Sequence, residues 1–226
     1  MRLAARTVVS ALLSVPGLAQ APLSVGQILK KVTNTYASLT EWDFEATVTS
    51  TVEPGGQFTR PLRTAGKGSS KRRIELGDAY SGRTLIVADG KNVWAYETQP
   101  NRYTRKDQAQ EPEGMLSYFE AFILAYRFGS AGESDAKLLR DESIEIGNTK
   151  ADCYVIQFQP VRSPRSVTTW WIDKRRFLVL RDDQAGGSDH SFVGSSTVWI
   201  KTQTSGVPDD LFLFAPPPGA TEQPAL

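Results

Sequence analysis

Thr84-Leu85-Ile86-Val87-Ala88-Asp89-Gly90-Lys91-Asn92-Val93-Trp94-Ala95-Tyr96 is the stretch whose reading decides the fold class. A β-branched, apolar run meets Asp89-Gly90, and a second run from Asn92 to Glu97 comes straight back. Asp-Gly between two such runs is a strong hairpin signal, because tight hairpin turns need residues that tolerate positive φ. Strands joined this closely pair antiparallel, since parallel neighbours need a crossover of a dozen or more residues.

The same grammar extends on both sides. Upstream, Trp42, Phe44, Ala46, Val48 and Val52 alternate with Asp43, Glu45, Thr47 and Thr49, a period of two that gives a strand one dry and one wet face. Pro54-Gly55-Gly56 turns the chain into a strand from Phe58 to Thr64. The loop Gly66-Lys67-Gly68-Ser69-Ser70 leads to another from Arg72 to Leu76, and Pro100-Asn101 leads from the hairpin into Arg102 to Lys106. This predicts a six-strand antiparallel meander. Strands resume later at Leu138 to Ile146, Asp152 to Gln159, Val167 to Ile172, Phe177 to Arg181 and Phe192 to Thr202. Pro216-Pro217-Pro218-Gly219 is expected to end the ordered chain.

Two segments carry helical spacing instead. Ser24 is a good N-cap, and Ile28, Leu29, Val32, Tyr36 and Leu39 follow at intervals of three and four. In mid-chain, Met115, Leu116, Phe119, Phe122, Ile123 and Tyr126 do the same behind Glu111 and Glu113, whose charge suits a helix start. The expected fold is mainly β with α: an open, curved antiparallel half-barrel of about eleven strands, covered by the N-terminal helix and a mid-chain lid helix. A long antiparallel sheet curls, and its apolar concave face must be covered. A gap between cover and sheet would be an apolar pocket.

Residues 1–21 read as a cleavable signal peptide. Arg2 and Arg6 form the basic end, Thr7 to Leu13 the apolar core, and Ala19-Gln20-Ala21 a small-residue cleavage site. The apolar run is far short of the ~20 residues that span a bilayer, so no transmembrane anchor is expected. The expected mature chain, residues 22–226, is one domain located in the periplasm. Losing Arg2 and Arg6 takes the net charge from +1 to −1, which does not suit a nucleic-acid binder. Cys153 is the one cysteine, so stability must come from a packed core rather than a disulfide.

No catalytic constellation stands out. His190 is the one histidine and lies in a polar Gly-rich loop, so neither a metal site nor a cofactor is expected. Asp141-Glu142, Asp182-Asp183 and Asp209-Asp210 are adjacent pairs, and neighbours on a strand point to opposite faces, which keeps them from acting together. The Gly66–Ser70 loop lacks phosphate-loop spacing. Arg60, Arg63, Lys67, Lys71, Arg72 and Arg73 read first as charges that keep a sheet edge soluble, and second as a docking rim for an anionic partner. Trp170 and Trp171 are adjacent, so one of them leaves the dry face and lies under a helix or on an exposed apolar patch.

The hairpin from Thr84 to Tyr96 resembles the "S/D-G-K-x-L/V-W-x-Y" hairpin of the LolA-like family, the periplasmic outer-membrane lipoprotein carriers, sorting proteins and uncharacterised relatives. The ending Val207-Pro208-Asp209-Asp210-Leu211-Phe212-Leu213-Phe214-Ala215-Pro216-Pro217-Pro218-Gly219-Ala220 is similar to that family's "lF-x-F-x-P-P-x-G" motif. The resemblance implies an open half-barrel closed by helices, with an apolar cavity for acyl chains. In the carrier a strand arginine near the cavity mouth helps control the lid; Ser70-Lys71-Arg72-Arg73-Ile74-Glu75-Leu76 is the matching stretch, and it lacks the family's Arg-Pro pair. The expected function is non-enzymatic carriage of lipid or lipoprotein acyl chains by a monomer. The cavity walls are Trp94, Tyr96, Tyr154, Ile156, Phe158 and Trp170, and the lid carries Met115, Phe119, Phe122 and Tyr126. Lys71, Arg72 and Arg73 form a rim for docking an inner- or outer-membrane protein. An envelope sensor or protein-interaction module of the same fold is the alternative, and a hydrolase with carboxylates assembled by the fold ranks third.

Overall fold

The computed structural model describes residues 22–53, 55–78, 82–110, 134–160, 166–188 and 191–224. The expected signal peptide, the mid-chain lid helix with Met115, Phe119, Phe122 and Tyr126, and His190 all lie outside them.

One α-helix is described, α1 (Val25–Ala37), with short 3-10 helices at Gln108–Gln110 and Asp209–Phe212. Ser24 caps it as the sequence implies. Its hydroxyl accepts from the Gln27 N–H, and the Gln27 side chain accepts from the Ser24 N–H, a capping box that satisfies two otherwise orphaned donors. Ile28, Val32 and Tyr36, four apart, form its buried stripe.

Among the described residues twelve strands make one sheet: β1 (Glu41–Glu53), β2 (Gly56–Lys67), β3 (Lys71–Asp78), β4 (Gly82–Asp89), β5 (Asn92–Glu97), β6 (Arg102–Asp107), β7 (Ser134–Ile146), β8 (Thr149–Pro160), β9 (Ser166–Asp173), β10 (Val179–Ser188), β11 (Ser191–Gln203) and β12 (Thr221–Glu222). Their order is β12-β6-β5-β4-β3-β2-β1-β11-β10-β9-β8-β7. The expected six-strand meander is present as β1 to β6, and β7 to β11 form a second one. The two join where β1 pairs antiparallel with β11, from Asp43 opposite Gln203 to Glu53 opposite Phe192.

The count exceeds the expected eleven because the tail does not end at its prolines. Beyond Gly219 the chain returns to the sheet, and Thr221 and Glu222 pair parallel with Arg102 and Tyr103 of β6. Prolines end a helix or an interior strand, but they permit an extended crossing over a sheet surface.

Alternation along β1 sets the two faces. Trp42, Phe44, Ala46 and Val48 lie on the concave face, where α1 packs and Tyr36 meets Phe44 edge-on at 6.4 Å. Asp43, Glu45 and Thr47 take the outer face. Asp43 is nonetheless buried, at 1% exposure. Its carboxylate accepts from Arg63 Nε at 2.8 Å and Nη2 at 3.0 Å, and from Lys201 Nζ. Arg63 comes from β2 and Lys201 from β11, so one carboxylate ties β1 to both neighbours across the joint between the meanders. Burial works to raise this carboxyl group, but the two cations outweigh it and hold it below the usual carboxylate range.

No helix among the described residues is long and apolar enough to cross a membrane.

Asp43→Asn is expected to cost about 2 kcal/mol of unfolding free energy, the range for a lost charge-assisted hydrogen-bond pair. Because the folded-state group titrates below its unfolded value near ~3.9, its contribution is complete above that pH and is lost as pH falls below it. Urea unfolding of wild type and variant should therefore differ at pH 7 and converge towards pH 3; an equal gap at both values would contradict this.

Candidate functional site

The concave face carries a continuous row of apolar side chains. Its apolar residues run strand to strand: Val93 on β5, Ala88 on β4, Ile74 on β3, Leu62 on β2, Phe44 on β1, Trp199 on β11, Trp170 on β9, and Ile156 and Phe158 on β8, all of them buried. Tyr154, Ile156, Phe158 and Trp170 occupy this face together, as alternation implies. Ile156 pairs with Trp170 in register, Trp170 meets the Phe158 ring edge-on at 4.6 Å, and Tyr154 stacks on Phe177 at 6.5 Å. Lys31 of α1 lies over the Phe177 ring, 4.9 Å from its centre. Tyr36 holds α1 down, its hydroxyl accepting from the Val179 N–H at 3.2 Å. Burial pushes that hydroxyl's pKa up, so it stays neutral.

Trp94 and Tyr96 are not part of this face. The register sets Trp94 opposite Val87, Val87 opposite Arg73 and Arg73 opposite Ala65, a row that lies on the outer face. Val93 and Ala95 take the concave positions instead. The C-terminal segment covers Trp94 and Tyr96 from outside: the Phe214 ring sits 5.4 Å from Trp94, 5.7 Å from Tyr96 and 6.3 Å from Tyr103. Val207 and Phe212 pack on Ala65 beside them. The two motifs that carry the family resemblance are thus one unit, the tail laid across the back of the hairpin.

The three basic residues expected at a docking rim are separated by the sheet. Lys71 and Arg73 point outward and fasten the tail: Lys71 Nζ lies 2.8 Å from Asp209 Oδ1, and Arg73 Nη1 donates to the Leu211 carbonyl at 2.9 Å. Arg72 points inward, its guanidinium 5.0 Å from the Trp42 ring and bonded to the Gly68 and Lys71 carbonyls. Nor do they guard an edge, because β2 and β3 lie inside the sheet.

The adjacent carboxylates separate as alternation requires. Asp182 is buried on the concave face opposite Trp170, whereas Asp183 is on the outer face with Arg181 at 2.6 Å. Asp141 pairs with Lys174 at 2.7 Å, and Glu142 with Arg140 at 2.6 Å. Trp171 leaves the concave face without forming an exposed patch; it donates to Glu142 at 3.2 Å and lies 4.5 Å beneath the Arg181 guanidinium. Cys153 is fully buried, and burial raises its thiol to about 12, which disfavours a nucleophilic thiolate. Among the described residues no cluster of His, Cys, Asp and Glu is arranged to hold a metal ion.

A second site was not legible in the sequence. A cleft of about 640 Å³ opens where the β7–β8 hairpin and the β9–β10 turn face the end of β11. Leu180, Trp199 and Ile200 line it with Lys150, Asp152, Asp173, Arg175 and Arg176. Leu180 and Ile200 are the extra residues of two β-bulges, one in β10 and one in β11. A bulge turns a side chain away from its alternating position, which is why a period-two reading does not find this cleft.

No family model matches the chain. An uncharacterized protein of Methanocaldococcus jannaschii is 22% identical over 205 residues, covering 88% of this chain and 53% of that protein, so the chain spans about half the length of this curated relative. Among solved structures, an uncharacterized conserved protein from Thermus thermophilus superposes with a TM-score of 0.50 at 14% identity, covering 88% of this chain and 98% of that one. A LolA superfamily protein from Nitrosomonas europaea superposes with a TM-score of 0.37 at 14% identity, covering 85% and 99%.

The concave face can be probed at Gly66, which lies under Trp42. A Cβ there would come within 2.3 Å of the indole ring, which Arg72 caps. Gly66→Ala is expected to shift the tryptophan emission and to destabilise the fold by about 1–3 kcal/mol, the cost of overpacking. Urea unfolding followed by fluorescence checks both, and an unchanged midpoint would show that Trp42 is free to move.

Proposed function

We propose that this chain, whose fold is LolA-like, is an exported, non-enzymatic binder or carrier of lipid or lipoprotein acyl chains, with the concave face of the sheet as the apolar binding surface. The observation that carries the reading is the continuity of apolar and aromatic side chains along that face from Val93 to Phe158, set against an outer face organised by ion pairs. Such a surface binds by removing hydrocarbon from water, worth about 0.8 kcal/mol for each buried CH₂, and requires no reactive group. The carboxylates accord with this: Asp43, Asp141, Glu142, Asp173, Asp183 and Asp209 are all engaged by cations. The signal-like N-terminus supplies the setting, a periplasm that lipid must cross between membranes.

The wall residues under this reading are Tyr154, Ile156, Phe158 and Trp170, joined by Phe44, Leu62 and Ile74. The expected lid residues Met115, Phe119, Phe122 and Tyr126 complete the proposal. Purification from the native host followed by organic extraction and mass spectrometry is expected to release bound lipid. The delipidated protein is expected to take up a fluorescent long-chain acyl probe saturably. Absence of both lipid and uptake would overturn the proposal. Recovery of a stable protein partner without lipid would favour an interaction module of the same fold.

A further inference from the structure

The cleft beside the β7–β8 hairpin shares Trp199 with the concave surface, but its rim and its bulged residues give it the composition of a site in its own right. Its floor is apolar: Leu180 and Trp199 are each 3% exposed. Ile200 also lines it and remains 56% exposed, a large apolar side chain that the fold itself does not cover. Two bulges place Leu180 and Ile200 there. The register runs from Val179 to Arg181 across one and from Trp199 to Lys201 across the other, skipping the residue between. Bulges interrupt ladder pairing and are over-represented beside functional sites. Here two independent ones turn apolar side chains into a single cleft.

The rim is charged, and its pairings can be followed group by group. Arg176 and Asp173 neutralise each other, with Arg176 Nε 2.7 Å from Asp173 Oδ2, and Arg176 also donates to Thr202. Burial works to raise the Asp173 carboxyl group, but Arg176 and the Arg175 and Arg176 N–H groups outweigh it and keep it ionised. Lys201 is taken up by Asp43 and Glu45. Asp152 accepts the Ser143 hydroxyl. Lys150 and Arg175, on the exposed rim, have no side-chain partner among the described residues. Two unpaired cations against the one carboxylate of Asp152 leave an excess of a single positive charge above an apolar floor.

We infer that this cleft binds a small amphipathic carboxylate, its apolar body against Trp199, Leu180 and Ile200 and its carboxylate between Lys150 and Arg175. A volume of about 640 Å³ lies within the range of ordinary small-ligand sites, roughly 300–1,000 Å³. One excess charge matches a monoanion. Arg175 supplies a planar donor fork for the two carboxylate oxygens, and Lys150 supplies a point charge.

Decanoate is the probe. Calorimetric titration of the mature protein is expected to show one saturable site, with the Trp199 indole N–H resonance shifting in step. The doubly substituted variant Lys150→Glu/Arg175→Glu, altered at exposed positions, is expected to bind at least tenfold more weakly with its thermal midpoint unchanged. Ile200→Asp is expected to weaken binding similarly, and decan-1-ol, the uncharged analogue, to bind at least tenfold more weakly than decanoate. Absence of saturable binding would overturn the inference. So would decanoate affinity that the double charge reversal leaves unchanged, a result that places the probe on the concave face and leaves the acyl-carrier proposal standing.

Discussion

The joint between β1 and β11 is the constraint on which the rest depends. Residues 41–53 and 191–203 are far apart in sequence, and their pairing turns two separate meanders into one sheet. Closing so long a loop costs entropy before any contact repays it, and the joint is correspondingly reinforced. On its outer side the buried carboxylate of Asp43 is held by Arg63 from one neighbouring strand and Lys201 from the other. On its concave side Phe44 lies between Tyr36 of the helix and Trp199 of β11, 6.4 and 5.9 Å from their ring centres. The helix, both meanders and the concave apolar surface therefore converge on a few residues of β1.

The C-terminal segment plays a comparable part on the outer face. Lys67 and Lys71 hold Asp209, Arg73 holds the Leu211 carbonyl, and Phe214 settles on the aromatic back of the β4–β5 hairpin. It then supplies β12, which covers part of the β6 edge. An open sheet presents unpaired edge groups that invite aggregation, and a short covering strand reduces that exposure. The aromatic pair of the hairpin thus has a structural task. Trp94 and Tyr96 make a platform for the tail, which explains why two motifs more than a hundred residues apart occur together.

The two faces divide the chemistry. The concave face gathers buried hydrocarbon and aromatic side chains, with α1 packed against them. The outer face is organised by ion pairs, and the β11 bulge leaves Ile200 exposed close to Lys150 and Arg175. Trp199 is common to the concave core and to the floor of the small charged-rim cleft.

Much of the fold was legible in the sequence. Period-two runs gave the strands, Asp89-Gly90 gave the hairpin, and Ser24 with its four-residue apolar spacing gave the helix, because all are local effects of side-chain direction and backbone preference. Alternation also placed Tyr154, Ile156, Phe158 and Trp170 on one face and split Asp182 from Asp183. It did not say which face of β5 is concave. That depends on register carried across five strands from Ala65 and Asp43, and Trp94 and Tyr96 consequently lie outside. Alternation likewise sends Lys71 and Arg73 to the face opposite Arg72. The pairing of β1 with β11, the return of the tail as β12, and the β11 bulge that turns Ile200 into the cleft were decided by tertiary structure alone. Each depends on strands meeting that are distant in the chain, whereas the local pattern determines only what each strand offers when they meet.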